Sequence, residues 1–90
     1  MPFWVYIIQN DVSGRIYIGQ TSDVEKRLAA HNDRRFGKRK YTTKQDGSWH
    51  LIHSEELTTR SEAMQREKFL KSGKGRIWIK ENVAAKSFGR

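Results

Sequence analysis

Three stretches of the chain carry the apolar pattern of strands, and two or three others recur at helical spacing. "FWVYIIQ" (Phe3 to Gln9) is aromatic and β-branched, which predicts a strand. With a period of two, Phe3, Val5 and Ile7 share one face, and Trp4, Tyr6 and Ile8 share the other. Both faces are apolar, as expected of an interior strand covered on both sides. "NDVSG" is a run of turn residues, and "RIYIG" (Arg15 to Gly19) is a second short strand. The short connection predicts an antiparallel hairpin.

A helix is predicted next, over "TSDVEKRLAAHN". Ser22 with Glu25 three residues later matches a capping box. Val24, Leu28 and His31 recur at helical spacing with Arg27 on the same side, and Asn32 can end the helix. Residues 33 to 48 read as a polar loop, basic in its first half. Trp49 to Glu56 reads as a third strand. "TTRSEAMQREKFLKSGKG" is a second helix, with Thr59 or Ser61 as N-cap and Gly73 as C-cap. Its apolar stripe is Ala63, Met64 and Leu70, and Glu67 falls inside it. "GRIWIKENVAA" is a third helix or an extended segment, with Ile77, Trp78 and Val83 as packing residues. The terminal "KSFGR" is expected to fray.

Charge changes the picture more than length does. Ninety residues make one domain, here 1–90, with a modest core. Eighteen Lys and Arg against ten Asp and Glu give a net charge of +8. A polyanion is the natural partner of such a surface. The excess is concentrated in "RRFGKRK" (34–40), which has five basic residues and no acid. The absence of cysteine excludes a disulfide framework and cysteine-ligated zinc. No apolar run approaches the roughly 20 residues needed to span a bilayer, and the N-terminus has no signal-peptide pattern. A cytoplasmic location with no membrane partner is expected.

Several residues are unusual for their predicted positions. A carboxylate in an apolar stripe, as at Glu67, is costly unless paired. It is salt-bridged to Arg66 or Lys71, tilted into solvent, or a divalent-metal ligand, since a hard cation can sit on one carboxylate, waters and a substrate phosphate. Arg27 and His31, four apart, share a helix face. They are either a rim pair with packed stems or a phosphate-binding guanidinium beside a proton-shuttling imidazole. Tyr6 and Tyr17 each place a phenol within a strand. A phenol is a poor base unless tuned, and a nearby guanidinium or metal would favour its ionised form. His50 and His53, three apart in a strand, are expected on opposite faces and make a poor metal pair. No serine has a nucleophile-elbow context, and no phosphate-binding glycine loop is present.

In this order and spacing the residues resemble the GIY-YIG nuclease superfamily, in particular its small bacterial domains. The sequence is also similar to the N-terminal catalytic module of the bacterial nucleotide-excision repair nuclease and of related homing endonucleases. Trp4-Val5-Tyr6 stands where the first triplet belongs, with Trp4 and Val5 replacing glycine and isoleucine. Tyr17-Ile18-Gly19 is the second triplet unchanged. Arg27 and His31 in "RLAAHN" occupy the expected helix positions, and Tyr41-Thr42 matches a common "YT". "RSEAMQREKFLKS" resembles the second helix, with Glu67 as its metal-binding glutamate. Asn82 matches a late asparagine. The resemblance runs from about residue 3 to 82.

The resemblance implies an α+β fold, a three-stranded antiparallel sheet with flanking helices in the order β-β-α-β-α-α. It implies a metal-dependent DNA endonuclease acting in repair or recombination, with catalytic residues Tyr6, Tyr17, Arg27, His31 and Glu67. Gly19 and Asn82 are further candidates. Glu67 would hold one Mg²⁺ or Mn²⁺, with no small-molecule cofactor. Tyr6 would accept a proton from the attacking water, Tyr17 would orient the water, and Arg27 would bind the scissile phosphate. Arg34, Arg35, Lys38, Arg39, Lys40 and Tyr41 would bind duplex or branched DNA in preference to RNA. The alternative is a catalytically inactive nucleic-acid-binding module of the same fold. A structural or RNA-associated protein is a more distant rival.

Overall fold

The sheet is built around its first strand. In the computed structural model, which describes residues 2–33 and 47–83, β1 (Phe3–Asn10) lies between β2 (Ile16–Thr21) and β3 (Trp49–Leu57). Both neighbours are antiparallel. The helices are α1 (Val24–Asn32), α2 (Arg60–Lys71) and α3 (Gly73–Asn82), so the order is β-β-α-β-α-α and the fold is α+β. Residues Val5 to Asn10 are all buried, as a strand covered on both faces requires. The segment that the sequence leaves as helix or extended is the helix α3.

The two faces of β1 serve two cores. Val5 and Ile7 pack with Ile18, Ala63, Leu70 and Ile79, so α2 and α3 cover that side. Tyr6 and Ile8 pack with Trp49, Tyr17, Val24 and Leu28, so α1 covers the other. The pairing Tyr6↔Gly19 and Ile8↔Tyr17 puts the two tyrosines on the α1 side. Among the described residues, β2 has a free edge.

Local signals explain the helix boundaries, with two corrections to the sequence reading. The N-cap of α1 is Asp23 rather than Ser22; its side chain accepts from the Lys26 backbone N–H at 3.1 Å. Thr59 caps α2 in a reciprocal capping box with Glu62. Gly73 is not a C-cap. Ser72 ends α2 and caps α3, accepting from the Gly75 N–H at 3.1 Å, and Gly73 opens the new helix. Gly75 is buried where the helices turn, and a Cβ there would overlap the Phe69 carbonyl oxygen. Met64, expected in the stripe of α2, is exposed; Ala63 and Leu70 are the buried members.

β3 carries a register shift opposite Ile7 and Ile8, which leaves Ile52 without a β1 partner. This bulge brings His50 (opposite Gln9) and His53 (opposite Ile7) to the same side of the sheet, not to opposite faces. They still make no metal pair: His50 meets Asp11 and His53 meets Glu55. Glu55 also takes two bonds from Arg66, at 2.8 and 3.1 Å, and the Arg66 guanidinium lies 4.6 Å from the Trp78 ring centre. At the other end of the sheet, the Asn32 amide bonds both the N–H and the carbonyl of Trp49, tying α1 to β3. The basic segment Arg34, Arg35, Lys38, Arg39, Lys40 and Tyr41, and the terminal residues 84–90, lie outside the described residues. Among the described residues no helix is long and apolar enough to cross a membrane.

Candidate active site

Tyr6 and Glu67 belong to helix layers on opposite sides of the sheet, yet they line one pocket. Tyr6 sits in the α1-side core, and α2, which carries Glu67, covers the other side. A cavity of about 410 Å³ takes lining from Tyr6, Tyr17, Gly19, Arg27, Arg60 and Glu67. It therefore wraps around the free edge of β2. Gly19 makes this possible. A Cβ at Gly19 would lie 2.5 Å from the Tyr6 hydroxyl and 2.7 Å from its Cζ, so the phenol occupies the space a side chain would fill.

Behind the pocket, the Tyr6 hydroxyl is 2.7 Å from His31 Nε2. His31 is buried on α1, and its ring lies 4.9 Å from that of Tyr17 and 5.8 Å from that of Tyr6. His31 does not line the cavity itself; it backs the phenol that does. Burial chiefly, with Tyr17 and Glu67 adding to it, raises Tyr6 well above the ordinary phenol range, and Arg27 opposes this without prevailing. The tuning is thus opposite to the ionised phenol expected from a neighbouring guanidinium. A phenol that keeps its proton can donate to the Nε2 of the imidazole.

Glu67 is half-buried, and its Oε2 accepts from Lys71 Nζ at 2.6 Å, an i,i+4 pair. Lys71 is one of the two partners the sequence offers; the other, Arg66, is engaged with Glu55. No group of three or more His, Cys, Asp or Glu side chains capable of holding a metal occurs among the described residues. A cation would rest on the single Glu67 carboxylate, waters and a substrate phosphate. That oxygen-only, protein-poor set suits Mg²⁺, which dehydrates reluctantly.

Not every candidate converges here. Arg27, exposed on α1, and Gly19 line the pocket, but Asn82 does not. The Asn82 amide instead donates to the Trp78 carbonyl at 2.9 Å. Arg60 lines the pocket and escaped the sequence reading. Its signal is a cation in the first turn of a helix, where the backbone dipole disfavours positive charge.

Residues 2–82 match the family model described as the GIY-YIG catalytic domain. A UPF0213 protein of Bacillus velezensis is 38% identical over 65 residues, covering 72% of this chain and 61% of that protein. A UPF0213 protein of Staphylococcus epidermidis is 39% identical over 70 residues, covering 77% of this chain and 79% of the relative. The solution NMR structure of a UPF0213 protein from Bacillus halodurans superposes with a TM-score of 0.54 at 26% identity, covering 92% of this chain and 87% of that one. With a tyrosine-lined pocket at the β2 edge and a domain match over residues 2–82, the chain belongs to the GIY-YIG nuclease superfamily and, within it, to the UPF0213 proteins.

Proposed function

We propose that the chain is a metal-dependent endonuclease that hydrolyses phosphodiester bonds in DNA, in repair or recombination. The observation that carries this reading is the Tyr6–His31 hydrogen bond opening onto a pocket shared with Tyr17, Arg27 and Glu67. Glu67 would hold one Mg²⁺ or Mn²⁺, which when bound supplies Lewis-acid stabilisation of the phosphate and the leaving 3′ oxygen.

The chain's own residues account for the proton and the phosphate. Tyr6 is held protonated, so it acts as a conduit and not as a standing phenolate. As the attacking water gives a proton to the Tyr6 oxygen, Tyr6 passes its own to His31 Nε2. The imidazole is the acceptor suited to neutral pH. Tyr17 orients the water through its hydroxyl. Arg27 binds the scissile phosphate and strengthens its hold as charge builds. Arg60, on the pocket wall, adds a second cation to the same phosphate. The basic segment Arg34 to Tyr41 would grip flanking backbone.

The Lys71 bond to Glu67 favours a second reading, a nucleic-acid-binding module of the same fold in which that ion pair occupies the metal position. Purified protein incubated with supercoiled plasmid and branched or flapped oligonucleotides separates the two. Cleavage is expected with Mg²⁺ or Mn²⁺ and not with chelator, and Glu67→Ala should lower it by about 10³-fold or more. Equal cleavage by wild type and Glu67→Ala overturns the assignment. Binding without cleavage by either supports the second reading.

A further inference from the structure

A second cleft, about 630 Å³, adjoins the Glu67 pocket. Tyr17 lines both, and Lys71 in the wall of this cleft is the residue bonded to Glu67 in the other. Its apolar lining is Ile16 and Tyr17, both half-buried, beside the almost fully buried Ile18 and Ile79. Its rim is cationic. Arg15, Lys71, Arg76 and Lys80 are all exposed, they come from three separate parts of the chain, and among the described residues no acidic one lines the cleft. Arg76 and Lys80 are four apart on α3 and so share a face. Neither is in an ion pair among the described residues. A charge run on one helix is ordinarily a solvated face. Cations converging from separate elements around an apolar hollow are not.

We propose that this cleft binds unpaired nucleotides adjoining the scissile phosphate, so that the substrate is a nucleic acid with a single-stranded segment at the cut. The inference rests on the reading of the Glu67 pocket as the place of cleavage. An unpaired nucleotide chain is a polyanion with apolar sugar and base faces, and it matches an isoleucine floor beneath a cationic rim. A duplex hides its base faces by stacking and presents a convex row of phosphates, for which a flat cationic surface suffices. The cleft has the volume of a small-ligand site and accommodates a few nucleotides, not a double helix. With phosphates on Arg76, Lys80 and Arg15, the strand runs along β2 and reaches Tyr17 at the pocket mouth.

The test measures binding in chelator, so that it requires no turnover. Fluorescence anisotropy is recorded for wild type and for the double variant Arg76→Ala/Lys80→Ala with a single-stranded oligonucleotide, a blunt duplex and a flapped duplex. Both side chains are exposed, so the fold is kept, and circular dichroism checks it. The double variant should bind single-stranded and flapped DNA about tenfold or more weakly, as loss of two charge-assisted contacts implies. Its slope of log affinity against log salt should be shallower by about 1.4, at 0.7 per phosphate contact on a single strand. Blunt-duplex affinity should change much less. The charge-keeping variant Arg76→Lys/Lys80→Arg should restore most of the affinity. Unchanged single-strand affinity, equal losses on blunt duplex and single strand, or no binding by wild type would each overturn the proposal. Absence of cleavage with metal, by contrast, bears on the Glu67 reading and leaves these binding results to stand by themselves.

Discussion

One strand presents two different interiors. On the α2–α3 side, the buried partners of Val5 and Ile7 are aliphatic, Ile18, Ala63, Leu70 and Ile79, with Phe3 and Trp78 at the partly buried margin. On the α1 side, Tyr6 and Ile8 meet Trp49 and Tyr17, and a buried histidine is hydrogen-bonded to Tyr6. The aliphatic side gains free energy in proportion to the area it removes from water. The aromatic side gains less certainly, because each buried polar atom must find a partner. A core built for stability alone would favour the first arrangement on both faces. The polar core lies where the sheet edge opens to the pocket, and the aliphatic core lies behind it. The difference divides labour across a single strand: one face anchors the fold, and the other holds the proposed proton path.

The sharpest way to break that comparison is Tyr6→Phe. It keeps the ring and its packing and removes the hydroxyl that joins the pocket to His31. Cleavage should fall by about 10²- to 10⁴-fold, the usual worth of a positioned proton-transfer group. Stability should fall by only about 1 kcal/mol, one hydrogen bond. Cleavage rates with saturating metal and a urea melt of the same preparation measure the two effects. A large stability loss with unchanged cleavage would make Tyr6 a packing residue like its aliphatic neighbours.

Leu70→Ala is the converse. Leu70 is completely buried against Val5 and Ile7. Its truncation should cost about 2–5 kcal/mol through lost transfer energy and a residual cavity. Cleavage per folded molecule, assayed well below the melting temperature, should barely change. Gly19→Ala falls between the two. The added methyl would press on the Tyr6 hydroxyl and Cζ, forcing the phenol off His31. A cost of about 1–3 kcal/mol is expected from overpacking, together with much of the cleavage loss seen for Tyr6→Phe. Combining Gly19→Ala with Tyr6→Phe should then add little further loss of activity, because both act on one bond.

The sheet was legible in the sequence because its signals are local. The aromatic and β-branched run at Phe3 to Gln9 and the turn run that follows specify a central hairpin without reference to the rest of the chain. Thr59 was legible as a cap for the same reason. What escaped depends on small geometric choices or on distant residues. Ser22 and Asp23 are both good caps, and only backbone angles decide between them. Gly73 looks like a helix stop, yet the Ser72 hydroxyl accepts from the Gly75 N–H and starts a new helix instead. Strand alternation put His50 and His53 on opposite faces because a bulge at Ile52 leaves no sign in the pattern. The protonation of Tyr6 could not be read at all. Its sequence neighbours do not reveal that burial outweighs Arg27. Arg15, Arg76 and Lys80 each look like an ordinary exposed cation until the fold brings them around one cleft.

The smallest expected effect lies at the rim of the aliphatic side, where Glu55 joins β3 to α2. Burial alone would raise this carboxyl, but hydrogen bonds from Arg66 and His53 hold it below the ordinary glutamate range. The folded state therefore binds this proton less readily than the unfolded chain does. The resulting stabilisation is fully present above the unfolded value, near 4.3, and is lost as pH falls through the folded one. Because the group is partly in solvent, its contribution is about 1 kcal/mol. Urea melts at pH 7 should show Glu55→Gln less stable than wild type by about that amount, and the gap should close as pH falls below about 4. Asp11, also lowered, by the Ser48 N–H and His50, is common to both proteins and cancels in the difference. Arg66→Ala should remove most of the same gap, since it deletes the principal donor. A gap independent of pH would mean that Glu55 contributes shape and not charge, and that the aliphatic face has no electrostatic fastening at its edge.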